Sequence, residues 1–187
     1  MRYFIGLLVT AGLLIILIVL LVTHTGSSSS KAPNTSTPFT SYATTDATVS
    51  LTIDGPIVAS QNHNSVVITV GQNSATVQVI QGYDGDVTSS KTYPNTSNGY
   101  SAFLHALSLA GFTNGNTSKA LAADETGYCP EGDRYVFALN QDGKNLEQFW
   151  SSGCSGTHTY DGDSDLTTDL FKAQIPDYDA LVDNANL

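Results

Sequence analysis

The chain has 187 residues, and its 17 acidic residues outnumber seven basic ones to give a formal net charge of −10 at pH 7. All of the acids lie at Asp46 or later, where only five cations accompany them, so that stretch carries a net −12 and nucleic acid is excluded as an ordinary partner. The charge is dispersed rather than blocked, which fits solubility and mutual repulsion on a cell surface; binding of a cation or a basic partner is the sharper reading.

Tyr3 to Val22 is a run of 20 residues without a charge. At a rise of about 1.5 Å per residue it matches a hydrocarbon core of about 30 Å. Residues 1–22 are therefore expected to form a signal-anchor, a single transmembrane helix. Arg2 precedes the span and the next cation is Lys31. The positive-inside rule then leaves the amino terminus cytoplasmic and residues 23–187 extracytoplasmic, on a single-pass protein of the cell membrane. The alternative is secretion after signal cleavage, but cleaved signals carry apolar regions of about 7 to 15 residues. Val22 to Gly26 also make a poor cleavage site.

Residues 23–48 hold 16 Ser, Thr or Pro among 26. Such a segment buries too little apolar surface to offset the entropy of ordering, so it reads as a disordered tether. Its r.m.s. reach as a flexible coil is roughly 25 to 30 Å. Asn34, Asn95 and Asn116 each begin an Asn-Thr-Ser triplet that matches the N-glycosylation pattern.

Residues 49–187 are long enough for one domain with a core. Val49, Leu51 and Ile53 alternate with polar residues until Asp54-Gly55-Pro56 turns the chain. Ser65–Val70 and Ala75–Ile80 read as a hairpin with Val66, Ile68 and Val70 opposite Val79, Val77 and Ala75, and Thr69 opposite Thr76. Residues 83–97 read as loop. Ser101–Ala110 has a helical pattern with Phe103, Leu104 and Leu107 on one side, Gly111 at the left-handed C′ position and Phe112 packing back. His105 lies on the far side of that helix.

Arg134–Leu139 and Leu146–Ser151 flank Asp142-Gly143, a type I′ hairpin signal. Centring the turn there pairs Leu139 with Leu146, Val136 with Phe149 and Tyr135 with Trp150. Asp165 is read as the N-cap of a helix over 166–174, which Ile175-Pro176 ends. Cys129 and Cys154 fall at the open end of this hairpin; an extracytoplasmic setting and the absence of a Cys-x-x-Cys pair make a disulfide the expectation.

The string Tyr83-Asp84-Gly85-Asp86 recurs as Tyr160-Asp161-Gly162-Asp163, each copy after a hairpin and before a helix. It raises two ββα units as a reading; turn chemistry explains the same tetrapeptide. Asp161, Asp163 and Asp165, with Asp169 beyond, also resemble the opening of a calcium loop. The EF-hand pattern fails at Leu166 and Lys172, so a weak surface calcium site is the only cofactor considered, and helix capping accounts for the same aspartates.

No Gly-x-Ser-x-Gly elbow, phosphate loop, dinucleotide fingerprint or His-Glu-x-x-His occurs in the chain. Catalysis is not expected. A hydrolase would need His158 or His105 in a concave site beside carboxylates. Trp150, Tyr135, Tyr128 and Tyr160 lie on or beside the second hairpin and are the candidate binding residues for a glycan or an extracellular protein; strand-face packing is the plainer account of Trp150.

The layout of a short signal-anchor, a Ser/Thr-rich tether and one acidic domain with a single cysteine pair resembles uncharacterised membrane-anchored surface proteins of small-genome candidate-phylum bacteria. Cys129-Pro130-Glu131-Gly132, Trp150 to Cys154, and Leu170-Phe171 through Ile175-Pro176 resemble a recurring pattern in such domains. That resemblance implies no functional residue. The expected architecture is α+β, an antiparallel sheet of about five strands with two main helices on one face. The expected role is a noncatalytic binding or structural module of the cell envelope, with a protease-inhibitor-like domain as the alternative.

Overall fold

The computed structural model describes residues 38–116, 125–183 and 185. The expected transmembrane segment 1–22 and residues 23–37 of the tether lie outside the described residues. Among the described residues no helix is long and apolar enough to cross a membrane.

Six strands, β1 (Thr48–Asp54), β2 (Asn64–Val70), β3 (Ser74–Gln81), β4 (Asp86–Pro94), β5 (Arg134–Gln141) and β6 (Lys144–Ser152), form one antiparallel sheet in the order β4-β3-β2-β1-β5-β6. The helices are α1 (Ser97–Leu109), α2 (Ser164–Lys172) and the short α3 (Tyr178–Val182). The architecture is thus α+β. The apolar positions of β1 and β3 are buried in alternation, iBiBiBi along β1, as expected for a sheet with one face in the core. The β2–β3 register is the one the alternation requires: Val66 faces Val79, Ile68 faces Val77, Val70 faces Ala75 and Thr69 faces Thr76.

Tyr100, Phe103, Leu104 and Leu107 of α1 are buried in the same core as Phe171 of α2 and the strand residues Leu51, Ile68 and Phe137. Full burial of each such side chain stabilises the fold by about 1.5–3 kcal/mol. Thr96 caps α1 by accepting from the Gly99 amide at 3.0 Å. At the other end Gly111 takes φ +83° and the Phe112 amide donates to the Leu107 carbonyl at 3.0 Å, the expected left-handed cap. Asn95 donates from its side-chain amide to the Gly71 carbonyl at 2.8 Å, so the nitrogen that a glycan would take is spent inside the fold.

Several expectations are corrected. The tether ends earlier than residue 48, because residues 38–47 belong to the fold: a 3-10 turn, Phe39–Thr44, buries Phe39 and Ala43, and Phe39 stacks on Phe112 at 5.0 Å. Gln72 fastens the segment by donating to the carbonyls of Ala43 and Thr45 at 2.6 and 2.8 Å. The segment 83–97, read as loop, contains β4. Both faces of β4 are largely exposed, so it forms by backbone pairing with β3 and leaves no apolar period in the sequence. Among the described residues the outer side of β4 meets no other strand; the strand has a register shift opposite Val79 and Ile80, an ion pair from Lys91 to Asp177, and Pro94 at its end.

The β5–β6 pairing differs by one residue from the expected one. Leu139 faces Glu147, Val136 faces Trp150 and Tyr135 faces Ser151, with Leu146 left over as a bulge. Asp142 and Gly143 do take positive φ, 52° and 70°, as a type I′ turn demands. The slip serves burial. Without the bulge, Gln148 would face the core beside Phe137; with it, Phe149 does. The N-cap of α2 is Asp163, not Asp165, and accepts from the Leu166 amide at 3.0 Å.

The two hairpins lie in one continuous sheet, with the β1 strand between them, and are not two ββα units. Tyr83-Asp84-Gly85-Asp86 is the turn between β3 and β4, whereas Tyr160-Asp161-Gly162-Asp163 leads into α2, and Tyr83 is exposed while Tyr160 is buried. The two strings occupy different places in the fold.

The Tyr100 hydroxyl donates to the Ala47 carbonyl at 2.8 Å inside the core. Burial raises its phenol far above the ordinary value, and raises that of Tyr178 to about 12 with help from Asp179, Tyr135 and Asp133. Folded values above unfolded ones mean stability that is complete below about pH 10 and lost as pH rises towards the folded values. Urea midpoints are therefore expected to fall above about pH 10, and Tyr100→Phe to flatten part of that fall. An identical alkaline limb in the variant would refute the role given to Tyr100.

Candidate functional site

Asp54 ends β1 and Arg134 begins β5, and the two are direct cross-strand partners. That register places a carboxylate against a buried guanidinium. The Arg134 Nε donates to Asp54 Oδ2 at 3.0 Å, and its Nη2 donates to the same oxygen and to the Gly55 carbonyl. The other carboxylate oxygen, Oδ1, lies 3.0 Å from Nε2 of His63, which is also buried. Nδ1 of His63 lies 3.1 Å from the Pro56 carbonyl. The ring thus bridges the Asp54 carboxylate and the Pro56 carbonyl.

These contacts hold the start of the loop that joins β1 to β2, and others hold the rest. The Ile57 amide donates to the Pro130 carbonyl at 2.8 Å. The Tyr83 hydroxyl accepts from the Val58 amide at 3.2 Å and donates to the Val58 carbonyl at 2.8 Å. Its ring stacks on His63 at 4.1 Å. The Ala59 carbonyl accepts from the amides of Asn62 and His63 at 2.8 and 3.1 Å. The backbone is pinned, yet the side chains of Ile57 and Val58 are 42 % and 44 % exposed, and Tyr83 beside them is 55 % exposed. Asp84, which follows Tyr83, and Glu131, which follows Pro130, are exposed carboxylates next in sequence to the residues that hold this apolar tip.

The disulfide Cys129–Cys154 forms as expected, with Cα atoms 5.5 Å apart. It clips the open end of the β5–β6 hairpin, and Pro130, which holds Ile57, follows its first cysteine. Closing a loop with a sequence separation of 25 stabilises the fold by roughly 3.5 kcal/mol. Replacing both cysteines by serine is expected to remove about that much, measured by urea unfolding, and to speed amide exchange at Ile57. Unchanged unfolding and exchange would show that the clip restrains neither fold nor loop.

The four aromatic candidates do not form one surface. Trp150 is 0 % exposed on the face of the sheet opposite the main core, opposite Val136, and Tyr128 covers it with ring centroids 4.8 Å apart. Tyr135 and Tyr160 lie on the core side; the Tyr160 ring packs on Phe137 at 4.5 Å and its hydroxyl is 2.7 Å from that of Thr167. Burial raises the phenols of Tyr135 and Tyr160, with carboxylates nearby adding to both.

The aspartates are also separated by function. Asp163 caps α2, Asp165 lies in its first turn and Asp169 further along it, while Asp161 faces His158 at 4.0 Å on the surface. Among the described residues no group of three or more His, Cys, Asp or Glu side chains is arranged to hold a metal ion. His105 is exposed on α1, and His158 is half exposed in a loop with Nδ1 3.0 Å from the Gly156 carbonyl.

Sequence reasoning missed His63, Tyr83, Ile57 and Val58 as a unit. The visible signal was Asp54-Gly55-Pro56, read only as a turn; an apolar Ile57-Val58 pair directly after such a turn, outside any alternating run, was the remaining clue. No protein-family model matches the chain, and no curated protein matches it.

Proposed function

We propose that the chain is a membrane-tethered, extracytoplasmic, noncatalytic binding module of the cell envelope, and that the Gly55–Ala59 loop is its contact element. The sequence layout, which resembles that of anchored surface proteins of candidate-phylum bacteria, supports the setting. One observation carries the role: a loop whose backbone is held by Arg134, His63, Pro130 and Tyr83 presents exposed aliphatic side chains. Such preorganisation lowers the ordering cost of binding, and an apolar tip among carboxylates matches a protein pocket with a basic rim. A photo-crosslinking residue at Ile57 in the full chain, displayed on cells, is expected to give a protein adduct that Leu109, exposed on α1, does not give. The adduct should weaken when Asp84 and Glu131 are changed to lysine. Equal labelling at both positions would overturn the reading.

The same loop favours a second reading, an extracellular protease inhibitor, because a rigid irregular segment with aliphatic side chains suits an aliphatic protease subsite. Titration of proteases with small-aliphatic specificity checks it: inhibition lost in Ile57→Asp and Val58→Asp supports it, and no inhibition removes it.

A further inference from the structure

Beside this loop the helical layer leaves one end of the sheet uncovered, and the gap is a cleft of about 750 Å³. That size lies within the range of ligand sites, about 300–1,000 Å³. Val79 and Leu181 supply aliphatic lining, and Pro56 and Val58 bring the loop to its border. The polar lining comes from Gln61, Asn62, Asn64, Gln81 and Ser89. Among the described lining residues there is no charged side chain, in a chain where acids outnumber bases 17 to seven.

We infer that this cleft binds a neutral oligosaccharide. Carboxamides combine a donor and an acceptor on one planar group, the pair that vicinal hydroxyls require, and aliphatic lining suits the C–H faces of a sugar ring. The side-chain nitrogen of Gln81 is spent on the Gln61 carbonyl at 2.9 Å, which orients the amide and leaves its oxygen as an acceptor. An extended peptide fits less well. The backbone of β2 and β3 at the cleft is already paired, Asn64 with Gln81 and Val79 with Ser89, and the bulge at Thr88 interrupts the one free edge, on β4, so a peptide gains little ladder there and recognition falls to side chains. Charged sugars gain nothing from a lining without a counter-charge, and acidic ones are opposed by the chain's own field.

This inference stands apart from the loop's role, since crosslinking at Ile57 and sugar binding are read separately. The test uses the full chain in a sugar-free detergent, with cellotriose, maltotriose and N-acetylchitotriose as probes. Trimers of galacturonic acid and of glucosamine, and an uncharged Gly/Ser peptide, are the controls. At least one neutral trimer is expected to bind and to shift the amide resonances of Asn62, Gln81 and Ser89. Asn62→Ala should weaken that binding about fivefold, the loss of one hydrogen bond. Ala180→Phe, a surface change on α3 that fills the cleft, should abolish it, while emission from Trp150, the only tryptophan, reports an intact fold. Absence of binding by all three neutral trimers, binding that survives Ala180→Phe, or tighter binding of a charged trimer or the peptide would overturn the inference.

Discussion

Replacing Asp54 by alanine is expected to cost about 3–5 kcal/mol in urea unfolding, because it strands a buried guanidinium. Arg134 is only 2 % exposed, and its Nη1 has no hydrogen-bond partner even in the intact protein. Little slack exists to re-solvate that charge. The double variant Asp54→Ala, Arg134→Met is expected to recover much of the loss, since well-packed apolar replacements of a buried pair are often neutral. Both variants should loosen the loop, since each removes the Asp54 carboxylate that holds His63, and the double variant should loosen it further because it also removes the tie between Arg134 and the Gly55 carbonyl. Amide exchange at Ile57 and Val58 reads that loosening apart from global stability. A single variant that costs under about 1 kcal/mol would show that the carboxylate does not hold the arginine.

Trp150→Ala should be comparably damaging, about 3–5 kcal/mol by the general cost of emptying a large aromatic site. Trp150 is fully buried and its backbone also anchors the following loop, accepting from the Thr159 and Tyr160 amides at 2.9 and 3.0 Å. Tyr128, 37 % exposed, is a lid on that site, so Tyr128→Ala should cost distinctly less. Circular dichroism follows both unfolding curves, since the first variant has no tryptophan. A cost below about 1 kcal/mol for Trp150→Ala would contradict packing as its role.

Much of the central sheet was legible because burial imposes a period. Val49 to Ile53, Val66 to Val70 and Ala75 to Val79 alternate, and a hairpin register follows from matching apolar faces. Strand β4 was not legible, because Thr88 to Thr92 bury neither face, and a strand held by its backbone leaves no side-chain signature. The one-residue slip in β5–β6 was hidden for another reason: Asp142-Gly143 fixes the turn, but nothing local announces that Leu146 is skipped in favour of placing Phe149 in the core. Asp161, Asp163 and Asp165 are equivalent on paper, and only the path of the backbone selects Asp163 as the cap. The loop site was furthest from view. Its pins join residues 79 and 25 positions apart, Arg134 to Gly55 and Tyr83 to Val58, and such pairings appear only once the strands have been assembled.

The outer side of β4 bears on what happens when many copies of the chain meet at high concentration. An open strand edge is a template on which identical sheets can add to one another and grow into fibrils. Here that edge is bent by its bulge, charged at Lys91 and closed off by Pro94. Crowded neighbours therefore meet a border that resists zipping, and concentrated solutions of the domain are expected to stay free of fibrils.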